Sequence, residues 1–208
     1  MAPTLGRVPN AGNPLDRQGA GRWLDGPMSS PTSDVSVRVA WADDAPAIAE
    51  LQLRAWRHKY AGLVPPEALP DDVEAAAAAW RASMSKPGDA RNRVLVALER
   101  NRVVGFAITS PAGDPDCDPV ADAEIQELTV DPTERGRGHG SRLLQAAVDT
   151  MRADRFTRSV LWAISTDDAL RGFLTGAGWA ADGAHRELDL DGDGATLVRE
   201  VRLHTALD

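Results

Sequence analysis

The stretch LTVDPTERGRGHGSRLLQAAV, from Leu128 to Val148, places a turn rich in glycine and arginine between a strand-like run and a helix-like run. The start of a helix exposes unpaired N–H groups and carries a partial positive charge. Glycines bare this backbone to a ligand, and arginines add positive charge. The residues concerned are Gly136, Gly138, Gly140, Arg135, Arg137 and Arg142. The pattern predicts a seat for a phosphate or pyrophosphate group.

Two familiar phosphate-binding loops do not fit this turn. A dinucleotide-binding fingerprint needs a third glycine, but Ser141 and Leu143 stand at the two positions where it would fall. An ATP-type loop needs a lysine, and the only lysines of the chain are Lys59 and Lys86. The alternative to a ligand site is a glycine-rich connection with solvated arginines.

The composition is that of a soluble globular protein with one domain in its 208 residues. A net charge of −8 disfavours a nucleic-acid partner and favours cationic substrates. Cys117 is the only cysteine, so no internal disulfide forms. All but two of the 23 basic residues are arginine, which we interpret as GC-rich codon bias. With no membrane-spanning run and no signal-peptide core, we expect a bacterial, cytoplasmic protein.

Residues 1–34 are rich in Gly, Pro and Ser and lack an apolar period, so we expect a disordered tail there. Met28 is a candidate for the true start of the protein. From residue 35 to residue 208 the pattern becomes regular and predicts one domain with the order β-α-α-β-β-β-α-β-α-β-β. We expect strands at 35–41, 94–98, 103–109, 123–130 and 159–164, helices at 42–60, 71–84, 140–154 and 167–175, and a final pair of strands within 185–207 joined by an Asp-Gly turn.

The segment Arg135-x-x-Gly138-x-Gly140, preceded by ELTVDP and followed by SRLL, resembles the acetyl-coenzyme A signature of the GNAT superfamily of N-acetyltransferases. The segment DDALRGFLTGAGW, from Asp167 to Trp179, is similar to the late helix of that family. The resemblance runs from about Val35 to Leu207. It implies an α/β fold with a mixed, largely antiparallel central sheet, flanked by helices, whose fourth and fifth strands splay apart.

The resemblance also implies acetyl-coenzyme A as the cofactor, with pantetheine along the fourth strand and the pyrophosphate on the amides of the glycine turn. Residues of the late helix complete the site. The cofactor-binding residues so implied are Leu128, Thr129, Val130, Arg135, Gly136, Arg137, Gly138, His139, Gly140, Ser141, Asp167 and Phe173. No histidine shows metal-ligand spacing, and no metal is expected.

Acetyl transfer to an amine needs a base, because an amine with a pKa near 10 is mostly protonated at neutral pH. Glu127 and Glu124 on the fourth strand are the candidates, and we favour Glu127. Strand alternation puts the two on opposite faces unless a bulge intervenes. The alternative for either is a solvated strand carboxylate. A backbone N–H near Thr129 or Val130 is a candidate to polarise the thioester oxygen.

The late helix departs from the family pattern, because Leu174 stands where many relatives carry a proton-donating tyrosine and Asp167 stands where they carry asparagine. We expect water to reprotonate the leaving thiolate. Trp56 and Tyr60 fall in the region that forms the acceptor wall in this family, with core packing as the alternative for Trp56. Trp80, Trp162 and Trp179 are assigned to the core.

The function that these residues favour is transfer of an acetyl group from acetyl-coenzyme A to a primary amine of a small molecule, by direct attack in a ternary complex. One alternative is an acetyltransferase acting on protein N-termini or lysines. Another is a coenzyme A-binding regulatory module without activity. We expect no nucleic-acid or membrane partner and regard a homodimer as possible by analogy with relatives.

Overall fold

The computed structural model of the protein describes residues 35–190, 194 and 196–207. The expected tail at 1–34 and the hypothesis about Met28 lie outside the described residues. So does most of the expected Asp-Gly turn, at residues 191–193. None of the described helices is long and apolar enough to cross a membrane.

Eleven main elements follow one another in the predicted order. They are β1 (Val35–Val39), α1 (Ala45–Lys59), α2 (Val73–Ser85), β2 (Arg93–Glu99), β3 (Arg102–Pro111), β4 (Asp122–Val130), α3 (His139–Ala153), β5 (Arg158–Ile164), α4 (Asp168–Gly176), β6 (Ala180–Asp189) and β7 (Leu197–Ala206). The last hairpin begins earlier than predicted, because β6 extends back to Ala180 across an irregularity between Ala181 and His185.

The strands form one seven-stranded sheet in the order β1-β2-β3-β4-β5-β7-β6. Only β4 and β5 are parallel; the other neighbours within this described sheet are antiparallel. The predicted mixed, largely antiparallel sheet is confirmed. Because β4 is followed by α3 before the chain returns as β5, the glycine turn lies at the end of a central strand.

Helices cover both faces of the sheet, and β2 shows how one strand serves two cores. Leu95 and Ala97 pack in a core with residues of α3 and α4, such as Leu143 and Leu174. The alternate residues Val94, Val96 and Leu98 pack in a second core with α1 and α2, including Ile48 and Trp80. A continuous apolar strand of this kind is typical of a sheet that is buried on both sides.

Local signals account for several boundaries. Arg100 and Asn101 have φ of 48° and 65°, so two left-handed residues close the β2–β3 hairpin as in a type I′ turn. The Asp72 carboxylate accepts a hydrogen bond from the Ala75 N–H at 2.9 Å and caps α2. An alanine run then follows in α2, the residue type with the highest helix propensity.

A bulge in β4 changes the faces of its side chains. Ile108 of β3 pairs with Glu127, but the next residue, Thr109, pairs with Ile125, so Gln126 is the extra residue. Since Ser110 pairs with Glu124, both glutamates oppose alternate residues of β3 and lie on one face, the face covered by α1 and α2. The simple alternation that put them on opposite faces is therefore wrong here.

Trp162 is not a core residue, contrary to the sequence assignment. It is half-buried, and its Nε1–H donates to Asp114 at 2.9 Å. Arg202 of β7 lies beside it, with its guanidinium 3.3 Å from Asp114, 2.6 Å from Asp116 and 2.7 Å from Asp182. The hydrogen bond from Arg202 lowers the pKa of Asp116 to about 2. This cluster ties the loop after β3 to the last two strands.

Candidate active site

The gap between β4 and β5 creates the main cavity. The two strands pair only from Asp122–Arg158 to Glu124–Val160 and then separate, as the splayed-strand prediction requires. The opening holds a cavity of about 870 Å³, between residues 125–130 of β4 and Leu161, Trp162 and Ile164 of β5. Its size falls within the range of cofactor sites.

The glycine turn closes one end of this cavity. Gly136 and Gly138 have φ of 76° and 80°, a left-handed conformation that side chains disfavour, and Gly138 is the residue that caps α3. A Cβ at Gly136 would meet no atom within 4 Å, so a side chain at this position would be disfavoured by the backbone conformation alone. The first turn of α3 therefore presents its N–H groups to the cavity, which fits a diphosphate.

Two of the three arginines of the turn are already paired with other groups of the protein. Arg137 forms ion pairs with Glu134 and with Glu99, the latter at 3.3 Å. Arg142 donates to the carbonyl oxygen of Arg137 at 3.1 Å. Arg135 lines the cavity. An anion at this turn would be held by backbone amides and Arg135, which is less charge than the sequence suggests.

His139, at the first position of α3, is buried and lines the same cavity. Neither ring nitrogen makes a hydrogen bond to the described residues, although Nε2 lies 3.4 Å from a carboxylate oxygen of Glu99. Buried polar atoms usually have partners. The imidazole therefore offers hydrogen-bonding capacity to a molecule seated on the turn.

Glu127 lies in the wall of the cavity, with its carboxylate held by three donors. Oε1 accepts from Trp56 Nε1 at 3.2 Å and from the Thr129 hydroxyl at 3.0 Å, and Oε2 accepts from Gln52 Nε2 at 3.1 Å. Gln52 is in turn fixed by the Trp80 indole, whose N–H donates to its amide oxygen at 3.0 Å. The network orients the carboxylate before any ligand arrives.

Burial raises the pKa of Glu127 even though the positive charge of Lys59 and these hydrogen bonds oppose the rise. A carboxyl with a raised pKa is a better proton acceptor at neutral pH than an exposed one. Lys59 lines the cavity; the residue is exposed, but protein atoms surround its ammonium group. Its burial works against the ammonium, but Tyr60, Glu127 and Glu200 outweigh this and raise its pKa.

Glu124 is on the same face but does not line the cavity. Burial, with a contribution from the nearby charge of Asp114, raises its pKa. Its position next to the paired end of β4 and β5 places it away from the opening, since the strands diverge after Glu124. Of the two candidate glutamates, only Glu127 lines the cavity.

In the late helix, Leu174 is fully buried in the core and Phe173 lines the cavity. Asp167 also lines it, but its carboxylate accepts from the Leu170 N–H at 2.9 Å and caps α4. The residues of α4 that line the cavity are Ala169, Leu170 and Phe173, so this helix brings no proton-donating side chain to it.

Most of the predicted site residues are brought together by the fold. Those that line the cavity are Trp56, Glu127, Leu128, Thr129, Val130, Arg135, Gly136, Gly138, His139, Gly140, Ser141, Asp167 and Phe173. Arg137 and Glu124 do not line it. Tyr60 does not line it either, and lies at the end of α1 with its ring 5.3 Å from the Lys59 ammonium.

Sequence reasoning missed Gln52 and Lys59. Gln52 is a polar residue beside the apolar stripe of α1, and a buried amide in such a place needs partners. Lys59 is one of two lysines in an arginine-rich chain and follows Trp56 by three residues, which places both on one helix face. These two signals were present in the sequence.

Splayed central strands, a glycine turn at a helix start and an oriented carboxylate between them define the class of protein as an acyl-coenzyme A-dependent N-acetyltransferase. The model of the acetyltransferase (GNAT) family matches residues 46–179, more than half of the chain. The protein belongs to this family. No curated protein sequence matches the chain at a significant level.

Solved structures share the fold at low identity. The yncA protein of Salmonella typhimurium, solved with its cofactor acetyl-CoA, is 21% identical, with a TM-score of 0.63 over 85% of this chain and 95% of that one. The ribosomal-protein-alanine N-acetyltransferase of Brucella melitensis is 20% identical, with a TM-score of 0.63 over 82% and 99%. The paia N-acetyltransferase of Thermoplasma acidophilum, in complex with coenzyme A, is 16% identical, with a TM-score of 0.59 over 80% and 97%.

Proposed function

We propose that the protein transfers an acetyl group from acetyl-coenzyme A to a primary amine of a small molecule, by direct attack within a ternary complex. The observation that carries the proposal is the Glu127 carboxylate, which is oriented by three donors in the wall of the cavity that ends at the glycine turn. The proposed base, Glu127, and the proposed phosphate-binding turn thus line the same cavity.

The residues of the cavity fit coenzyme A. The amides of residues 136–141 and the Arg135 side chain suit the diphosphate, and the unpaired part of β4 from Leu128 to Val130 suits the pantetheine arm. His139, with no hydrogen bond to the described residues, supplies a further polar contact. The yncA and paia structures support the same ligand. When bound, acetyl-coenzyme A supplies the activated acetyl group.

In the mechanism that follows, Glu127 accepts a proton from the amine, and Trp56, Thr129 and Gln52 keep its carboxylate in place. With Leu174 buried in the core, the proton for the leaving thiolate comes from water.

Two measurements test the proposal. Titration calorimetry with coenzyme A and with a pantetheine analogue lacking the phosphates should show that the phosphates contribute most of the affinity. Acetyl-coenzyme A mixed with a panel of small amines should then release thiol, read with a thiol reagent, above the rate without amine. Binding without release for every amine would support a regulatory module, and release with peptides alone would support a protein acetyltransferase.

A further inference from the structure

A second cavity, of about 410 Å³, lies between α1, α2 and β4. It is lined by Gln52, Leu53, Trp56, Pro70, Asp71, Asp72, Ala75, Ala76, Ala79, Trp80, Ile108, Gln126 and Glu127. Three of these residues, Trp56, Gln126 and Glu127, also line the main cavity. The Glu127 carboxylate therefore stands where the two spaces meet.

The body of the second cavity is apolar. Its walls come from Leu53, Ile108 and three alanines of α2, and the polar atoms of Trp80 and Gln52 are already bonded to each other at 3.0 Å. A polar group on the body of a bound molecule would lose its hydrogen bonds to water here, because the walls offer few hydrogen-bonding partners to replace them.

The charged groups that line the second cavity are all acidic among the residues that the structure describes. They are Asp71, Asp72 and Glu127, and no lysine, arginine or histidine is among the lining residues. An ammonium is attracted to such a site, whereas a carboxylate on the same guest meets like charge without a partner.

We propose that the second cavity is the acceptor pocket and that the acceptor is a primary amine with a compact apolar body and no carboxylate. This inference rests on the proposed function. The apolar body lies between α1 and α2, and the nitrogen points to Glu127. The nitrogen forms a bond to the acetyl carbon as the carbon–sulfur bond breaks, the amine proton passes to Glu127, and the thiolate takes a proton from water.

Three acceptors with one carbon skeleton test the charge preference: 3-methylbutan-1-amine, leucine and leucinamide. Because the cavity lining offers a carboxylate like charges and no cation, and because Asp71 and Asp72 are exposed to screening water, kcat/KM for leucine should be on the order of tenfold below that of the amine. Leucinamide, with a neutral carbonyl group, should lie close to the amine. Equal rates for leucine and the amine, or a leucinamide as slow as leucine, would overturn the inference.

Variants of α2 test the location. Ala79 is exposed and lines the second cavity, so Ala79→Leu should raise KM for 3-methylbutan-1-amine about tenfold by filling the space. Ala78 is exposed on the same helix but does not line the cavity, and Ala78→Leu should leave KM unchanged. Asp71→Lys should raise the rate with leucine, because it supplies a cation for the carboxylate.

The affinity for coenzyme A, measured by calorimetry in every variant, separates the two failures. If the protein binds coenzyme A and acetylates amines, but Ala79→Leu behaves as Ala78→Leu does, the acceptor pocket is wrong and the proposed function stands. If no amine in the panel is acetylated, the proposed function fails and the acceptor pocket fails with it.

Discussion

Replacing Glu127 with glutamine tests the base directly, because the change keeps the size and shape of the side chain while removing its charge. Glutamine still offers one oxygen to the donors around it. Its amide group, however, meets either the Gln52 amide or the pair formed by Trp56 and Thr129, which are also donors. The variant thus loses its proton acceptor together with part of the hydrogen-bonding network.

The expected loss follows from the role of a general base, which contributes about 10²–10⁴-fold to the rate, or roughly 3–5 kcal/mol of transition-state stabilisation. The loss should appear mainly in kcat, because the charge matters most when the proton moves. Glu124→Gln is the matched control, since Glu124 lies on the same strand face but outside the cavity. It should cost less than tenfold.

The assay is thiol release as a function of pH. In the parent enzyme the rate should rise as Glu127 loses its proton, at a pH above the ordinary range of glutamate because burial raises its pKa. In Glu127→Gln the rate should instead follow the free amine and rise steeply at high pH. An unchanged profile in this variant, with a large loss in Glu124→Gln, would refute the reasoning and assign the base to Glu124.

Three further predictions concern the same network, the turn and the loop cluster. Trp56→Phe removes a donor that lowers the pKa of Glu127, so the acid limb of the pH–rate profile should move to higher pH; an unmoved limb would contradict the assigned contact. Gly138→Ala forces a side chain to φ of 80° and should cost about 1–2 kcal/mol in urea unfolding, with weaker coenzyme A binding by calorimetry. Arg202→Met leaves the partly exposed carboxylates of Asp114 and Asp182 without their nearest cation and should lower the free energy of unfolding by about 1–2 kcal/mol in urea. Because Arg202 lowers the pKa of Asp116 from 3.8 to about 2, the parent should lose the contribution of the Arg202–Asp116 pair as pH falls through that window, and the variant should not show this loss.

Most of the fold could be predicted from local patterns in the sequence. The β2–β3 hairpin was predictable because an alternating apolar run on each side brackets a polar turn, and α2 was predictable from its acidic start and alanine run. The glycine turn was predictable because glycine itself permits the left-handed backbone found at Gly136 and Gly138. These features depend on neighbours in sequence.

The features that sequence reasoning missed depend on distant neighbours. The bulge at Gln126 arises from how β4 pairs with β3, and the residue type at position 126 does not predict it. Trp162 looked like a core residue because its strand is apolar, but Asp114, Arg186 and Arg202 hold it at the cavity wall. The second cavity arises from the packing of α1 against α2, which helix periodicity does not determine.

The short pairing between β4 and β5 makes the centre of the sheet its weakest seam. Three residue pairs join a four-stranded block to a three-stranded one. Without ligand, amide exchange should therefore report two partly independent folding units. A pantetheine arm bound along β4 would join the two units into one folding unit. Amide hydrogen exchange in β6 and β7, far from the arm, should therefore also slow when coenzyme A binds.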